Sequence, residues 1–153
     1  MSRKRENVRQ CKAIRQLIDD NKYTKALELI DAIPLEEVGS LDDLYRYAEL
    51  YEKAERMDKK KEIFYHIYHR THSRYMLNRL LRLTIRMGDM EEARELYFAY
   101  EVAGPITLDT FELRYLLAKA EGEPPERLIQ ILEELKKEEY TEEWGFRLAC
   151  LYE

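Results

Sequence analysis

The stretch RMGDMEEARELYFAY at residues 86–100 has a fainter counterpart, DDNKYTKALELIDAI, at residues 19–33. Aligned, the two pair Asn21 with Gly88, Tyr23 with Met90, Ala26 with Ala93 and Leu29 with Leu96, a separation of 67 residues. Asn and Gly are the residues most at ease in a left-handed turn conformation. Both copies therefore break a helix at one point and place a small alanine one turn into the next, where the preceding helix can come close. A second pair, YAELYE at 47–52 and LACLYE at 148–153, matches Ala48 with Ala149 and Tyr51 with Tyr152, 101 residues apart. Both separations are close to whole multiples of about 34 residues. A period of that length dictates small pieces stacked in succession, each touching its neighbours.

Glycine and proline punctuate the rest of the chain. Gly39, Gly88, Gly104 and Gly122 sit where apolar helical periodicity breaks, as do Pro34, Pro105 and Pro124–Pro125; Gly145 alone falls inside an apolar stretch. Glycine closes helices through its left-handed backbone, and proline opens them because its missing N–H is not needed in the first turn. Between these marks there is almost no alternation of period two, so the chain reads as all-α. The pattern predicts nine helices, at about 4–20, 22–33, 41–56, 59–70, 72–87, 89–103, 107–121, 124–138 and 140–153. Helix 72–87 shows the logic. Met76, Leu77, Leu80, Leu81, Leu83, Thr84 and Met87 share one arc of the wheel, while Arg74, Asn78, Arg79, Arg82 and Arg86 share the other.

Here the chain resembles the tetratricopeptide (TPR) repeats, whose two-helix unit recurs every 34 residues. Gly88–Asp89 stands at the turn, Ala93 and Tyr97 follow at the family's small/aromatic spacing, and Pro105 takes the closing position. The second unit keeps Ala48 and Tyr51 but carries lysine where the second-helix alanine belongs. The fourth, EGEPPERL, fits after an insertion. The resemblance implies one domain, 1–153, with units at 4–33, 41–70, 72–103 and 107–138 and an incomplete last unit at 140–153. It implies a right-handed α-solenoid in which the first helix of each pair lines a concave surface.

Composition removes several functions. No apolar run approaches the roughly 20 residues of a membrane span. The basic N-terminus has no apolar stretch behind it, so it is not a secretory signal. Two cysteines at opposite ends, Cys11 and Cys150, read as reduced thiols of a cytoplasmic protein. The only serines are Ser2, Ser40 and Ser73, none in a nucleophile elbow. There is no glycine-rich phosphate loop, and the glutamate pairs lie on solvated faces. His66, His69 and His72 with Glu62 offer a partial metal spacing, but no cysteine lies near to complete it, and they read as incidental. No enzyme, metal or cofactor is expected.

Charge supplies the functional signal. Residues 1–52 carry net −2, residues 53–86 net +7 and residues 87–153 net −10; from Ile63 to Gly88 there is no acid at all. On helix 72–87, Arg74, Asn78, Arg82 and Arg86 recur every four residues with Tyr75 beside them, and Tyr45 of helix 41–56 is a further groove candidate. Guanidinium offers a planar fork to a carboxylate. A protein- or peptide-binding scaffold with a basic groove for an acidic or extended segment is the expected function. Neutralisation of Arg82 and its neighbours by nearby acids is the opposing expectation. A net charge of −5 argues against a nucleic-acid partner, which needs a sustained basic track.

The last predicted helix presents Trp144, Leu148, Leu151 and Tyr152 on one side. Helical arrays normally end on a polar face. That stripe predicts either a longer parent array or a homodimer, in which the chain would be a self-associating structural element.

Overall fold

The computed structural model describes residues 2–138 and residue 151, which are helical or connecting throughout, with no strand among them. Eight α-helices follow in order: α1 (Ser2–Asp19), α2 (Tyr23–Ala32), α3 (Leu41–Lys53), α4 (Met57–Thr71), α5 (Arg74–Met87), α6 (Met90–Val102), α7 (Leu108–Ala120) and α8 (Pro125–Glu138). A 3-10 turn, Leu35–Glu37, interrupts the connection between α2 and α3. The expectation of an all-α chain built from helix pairs holds. The ninth predicted helix, 140–153, lies outside the described residues except for Leu151, which is helical.

The pairs are closed by one repeated device. Asn21, Glu55, Gly88 and Gly122 are left-handed, with φ of 59°, 60°, 82° and 76°, and they stand 34, 33 and 34 residues apart. In each case the amide of the following residue bonds five residues back: Lys22 to Leu17 O (2.8 Å), Arg56 to Tyr51 O (2.8 Å), Asp89 to Thr84 O (3.3 Å) and Glu123 to Ala118 O (3.0 Å). These bonds satisfy helix-end carbonyls that would otherwise be orphaned, and they require the left-handed residue between. Glu55 holds this position without glycine's freedom, which is why residue type did not reveal the second break. The insertion in the fourth unit follows the turn: α8 begins three residues after Gly122, whereas α2, α4 and α6 begin two after theirs.

The chain forms two compact units, residues 1–72 and 73–153. In the first, α1 packs on α2, α2 on α3 and α3 on α4. Its core holds Ile14, Ala26, Ile30, Leu44, Tyr47, Ala48, Ile63, Phe64 and Ile67. Ser40 caps α3, its hydroxyl accepting from the Asp43 amide (3.4 Å). The lysine at the alanine position of the second pair is Lys60. It is buried, and its Nζ lies 5.3 Å from the centre of the Phe64 ring and pairs with Glu52 at 3.1 Å, so the cation that fills the site is held by an aromatic face and an acid. In the second unit α5 packs on α6 and α7, and α7 also packs on α6 and α8. Met76, Leu80, Leu81, Ala93 and Leu96 fill the α5–α6 layer. Phe111, Tyr115, Leu128, Ile131, Leu132 and Leu135 fill the α7–α8 layer. Leu151 packs against this second cluster beside Leu108, Leu116 and Ile129.

Candidate functional site

The second unit presents α5 beside α7, and the charged face of α5 forms from helical arithmetic. Residues four apart drift about 40° around a helix per step. The set Arg74, Asn78, Arg82 and Arg86 therefore winds across the surface instead of holding one line. The line that stays outward is Tyr75, Arg79, Arg82 and Arg86, at spacings of four, three and four. Tyr75 is 63% exposed, Arg86 is exposed, and Arg79 and Arg82 are half-buried.

Arg74 is turned toward the α6–α7 connection. Its Nε donates to Tyr100 O (3.0 Å), its Nη1 donates to Pro105 O (2.8 Å), and its guanidinium lies 4.1 Å above the Tyr100 ring. Gly104 leaves room for it, since a Cβ there would sit 2.8 Å from Nη1. Asn78 is buried, and its Oδ1 accepts from Arg82 Nε at 2.6 Å. Arg82 Nη1 in turn donates to Glu112 Oε1 of α7 at 3.1 Å. The opposing expectation of neutralisation thus describes Arg82: one acid and one amide hold its fork. Arg79, placed on the polar arc by sequence but not among the groove candidates, lies 5.9 Å over the Tyr75 ring. The three–four alternation of helical spacing was the signal that could have found it. Tyr45 lies half-buried on α3 in the first unit.

Behind this face α6, α7 and α8 are cross-braced. Arg114 of α7 donates to the Tyr97 hydroxyl (2.8 Å) and approaches Glu134 of α8 (3.7 Å), and Arg94 pairs with Glu121. Burial, reinforced by Glu101, holds the Tyr97 phenol above its ordinary range, although Arg114 pulls it down. Of the terminal stripe, Trp144, Leu148 and Tyr152 lie outside the described residues, while Leu151 is engaged with its own unit's core.

In the first unit a groove of about 580 Å³ runs along α1 and the start of α3, lined by Lys4, Asn7, Val8, Cys11, Glu36 and Asp43 among others. At its floor Arg15 makes a two-pronged contact with Asp43, Nε to Oδ1 at 2.9 Å and Nη2 to Oδ2 at 3.0 Å. The Asp43 side chain is almost wholly buried, and its hydrogen bond raises the Arg15 guanidinium further above its ordinary value. Sequence patterning missed this buried pair because Asp42–Asp43 reads equally well as the acidic first turn of a helix. Around the histidines, His69 stacks with Tyr65 at 6.3 Å between ring centroids, and Tyr68 meets both His69 (5.7 Å) and His72 (6.1 Å). No group of three metal-ligating side chains occurs among the described residues. Nor is any described helix long and apolar enough to cross a membrane.

No family model matches the chain, and no curated protein does. Among solved structures it is similar to a protein of Podosopora anserina assigned as a kinesin light chain with nearly identical TPR-like repeats. The likeness covers 99% of this chain and 88% of that one, at a TM-score of 0.55 and 17% identity. The fold is that of the TPR-like helical repeats. In TPR-like terms α1, α3, α5 and α7 are the first helices of their pairs, and the Tyr75–Arg86 line lies on one of them.

Proposed function

We propose that the chain is a non-catalytic, cytoplasmic scaffold that binds protein or peptide segments, and that the α5 face takes an acidic, extended one. The four repeat units read from the sequence would serve as its framework. The observation that carries this reading is the convergence of Tyr75, Arg79, Arg82 and Arg86 on one outward line of α5. Arg82 is held in place by Asn78 and Glu112, so its guanidinium edge reaches a ligand without first losing rotamer freedom. Tyr75 adds ring area at low entropic cost. An acidic residue on the ligand would bridge successive guanidiniums. Partial exposure limits each such contact to about 1 kcal/mol, so several are needed for a micromolar complex.

Fluorescence anisotropy with extended peptides of acidic, neutral and basic composition tests the reading. Acidic peptides should bind with Kd of about 1–100 µM, more weakly as salt rises. The double variant Arg79→Glu, Arg86→Glu should weaken binding at least tenfold while the helical circular dichroism is unchanged. Equal binding of all three compositions, or an unaffected double variant, would overturn it.

A further inference from the structure

Two other helices carry outward faces whose chemistry is opposite. On α1, Lys4, Arg5 and Lys12 fall within about 100° of arc around Val8, with Arg9 at the edge. Val8 is 62% exposed, all four cations are exposed, and none has an ion-pair partner among the described residues. On α6, Glu91, Glu95, Phe98 and Val102 share about 60° of arc. Phe98 and Val102 are each 67% exposed, and Glu91 and Glu95 also have no ion-pair partner among the described residues. Exposed apolar side chains occurring singly need no explanation. An aromatic and a valine one turn apart, in line with two exposed acids, form a patch with a direction: acidic toward the start of the helix and apolar toward its end.

We infer that the α6 face of one molecule receives the α1 face of a second copy of this chain. In that contact Val8 meets Phe98 and Val102, and the cations flanking Val8 lie within reach of Glu95. The occupant is a second copy because one chain supplies both halves: a basic helix with an apolar centre and an acidic helix with an apolar end. The contact is heterologous, since different patches meet. Two short helical faces bury less than a standard interface, which makes the association weak and dependent on concentration. This contact uses none of the residues of the α5 face.

Sedimentation equilibrium of the full chain reads the outcome. The weight-average mass should rise with concentration, with a Kd of about 10–100 µM, and should fall back toward the monomer as salt is raised from about 0.05 to about 0.5 M. Arg5→Glu with Arg9→Glu makes α1 repel α6, and Glu91→Lys with Glu95→Lys makes α6 repel α1. Each double variant alone should weaken association at least tenfold, and mixing the two should restore it, because both contacts then join opposite charges. Phe98→Ala should weaken association without changing its salt dependence. All these positions are exposed, and circular dichroism checks that the fold is kept. A wild-type mass independent of concentration overturns the inference, as does undiminished association of the variants or a mixture that stays monomeric.

Discussion

Arg74 and Gly104 form a clamp whose strength a double-mutant cycle can isolate. Arg74→Met removes two charge-assisted hydrogen bonds, to Tyr100 O and Pro105 O, and the contact over the Tyr100 ring. Pro105 is exposed, so water recovers part of that loss, and the net cost should be about 2 kcal/mol. Gly104→Ala acts on the same clamp from the other side. Its new Cβ would lie 2.8 Å from Arg74 Nη1, 3.1 Å from Cζ and 3.2 Å from Cδ. The guanidinium must move, and moving it breaks the bonds that hold it, a loss of about 1–2 kcal/mol. Against this stands a gain of about 0.4–1 kcal/mol from the narrower unfolded ensemble of alanine, since Gly104 does not have the positive φ that would strain an alanine. The clamp wins in the wild type, so Gly104→Ala should destabilise. In the Arg74→Met background only the gain remains, and the same substitution should be neutral or stabilising. Urea unfolding followed by circular dichroism measures all four corners, and a coupling of about 1–2 kcal/mol is expected. If Gly104→Ala destabilises equally in both backgrounds, Arg74 does not anchor the α6–α7 connection.

Two other perturbations probe the layers beneath. Ala93 is fully buried where α6 meets α5, so Ala93→Leu should cost about 1–3 kcal/mol by overpacking; an unchanged thermal melt would remove it from the contact. Asp31 accepts from the Tyr51 hydroxyl and pairs with Arg56 at 2.9 Å, and the Tyr51 bond is the main influence holding its carboxyl below the usual range. A carboxyl depressed on folding contributes stability that is full above its unfolded pKa of about 4 and is lost as pH falls through its folded value. The stability gap between wild type and Tyr51→Phe should therefore be constant above about pH 5 and shrink in acid; a gap that stays constant down to about pH 2 refutes the linkage.

Much of the fold was legible because it rests on local signals. The apolar arc of α5 read from sequence is the arc that is buried, apart from Met87, the last residue of the helix, which is exposed. Asn21 and Gly88 announced their turns by residue type. Glu55 did not, because its left-handed backbone is imposed by the bonds around it and not by its own preference. The candidate site was less legible. Sequence placed Arg74, Asn78, Arg82 and Arg86 on the polar arc of one helix, yet the positions of Tyr100, Pro105 and Glu112 decide where the guanidiniums of Arg74 and Arg82 go. Those partners lie 26 to 31 residues away. Asp43 went unrecognised for the same reason, since its partner Arg15 is 28 residues upstream.

The four left-handed junctions have a consequence for how such a chain can change over time. Their closing bonds run from main chain to main chain, so asparagine, glutamate and glycine all occupy the bend. Mutation can rewrite almost every letter around such a corner while the angle between its two arms persists, because shape there is stored in amides and carbonyls that every residue but proline carries.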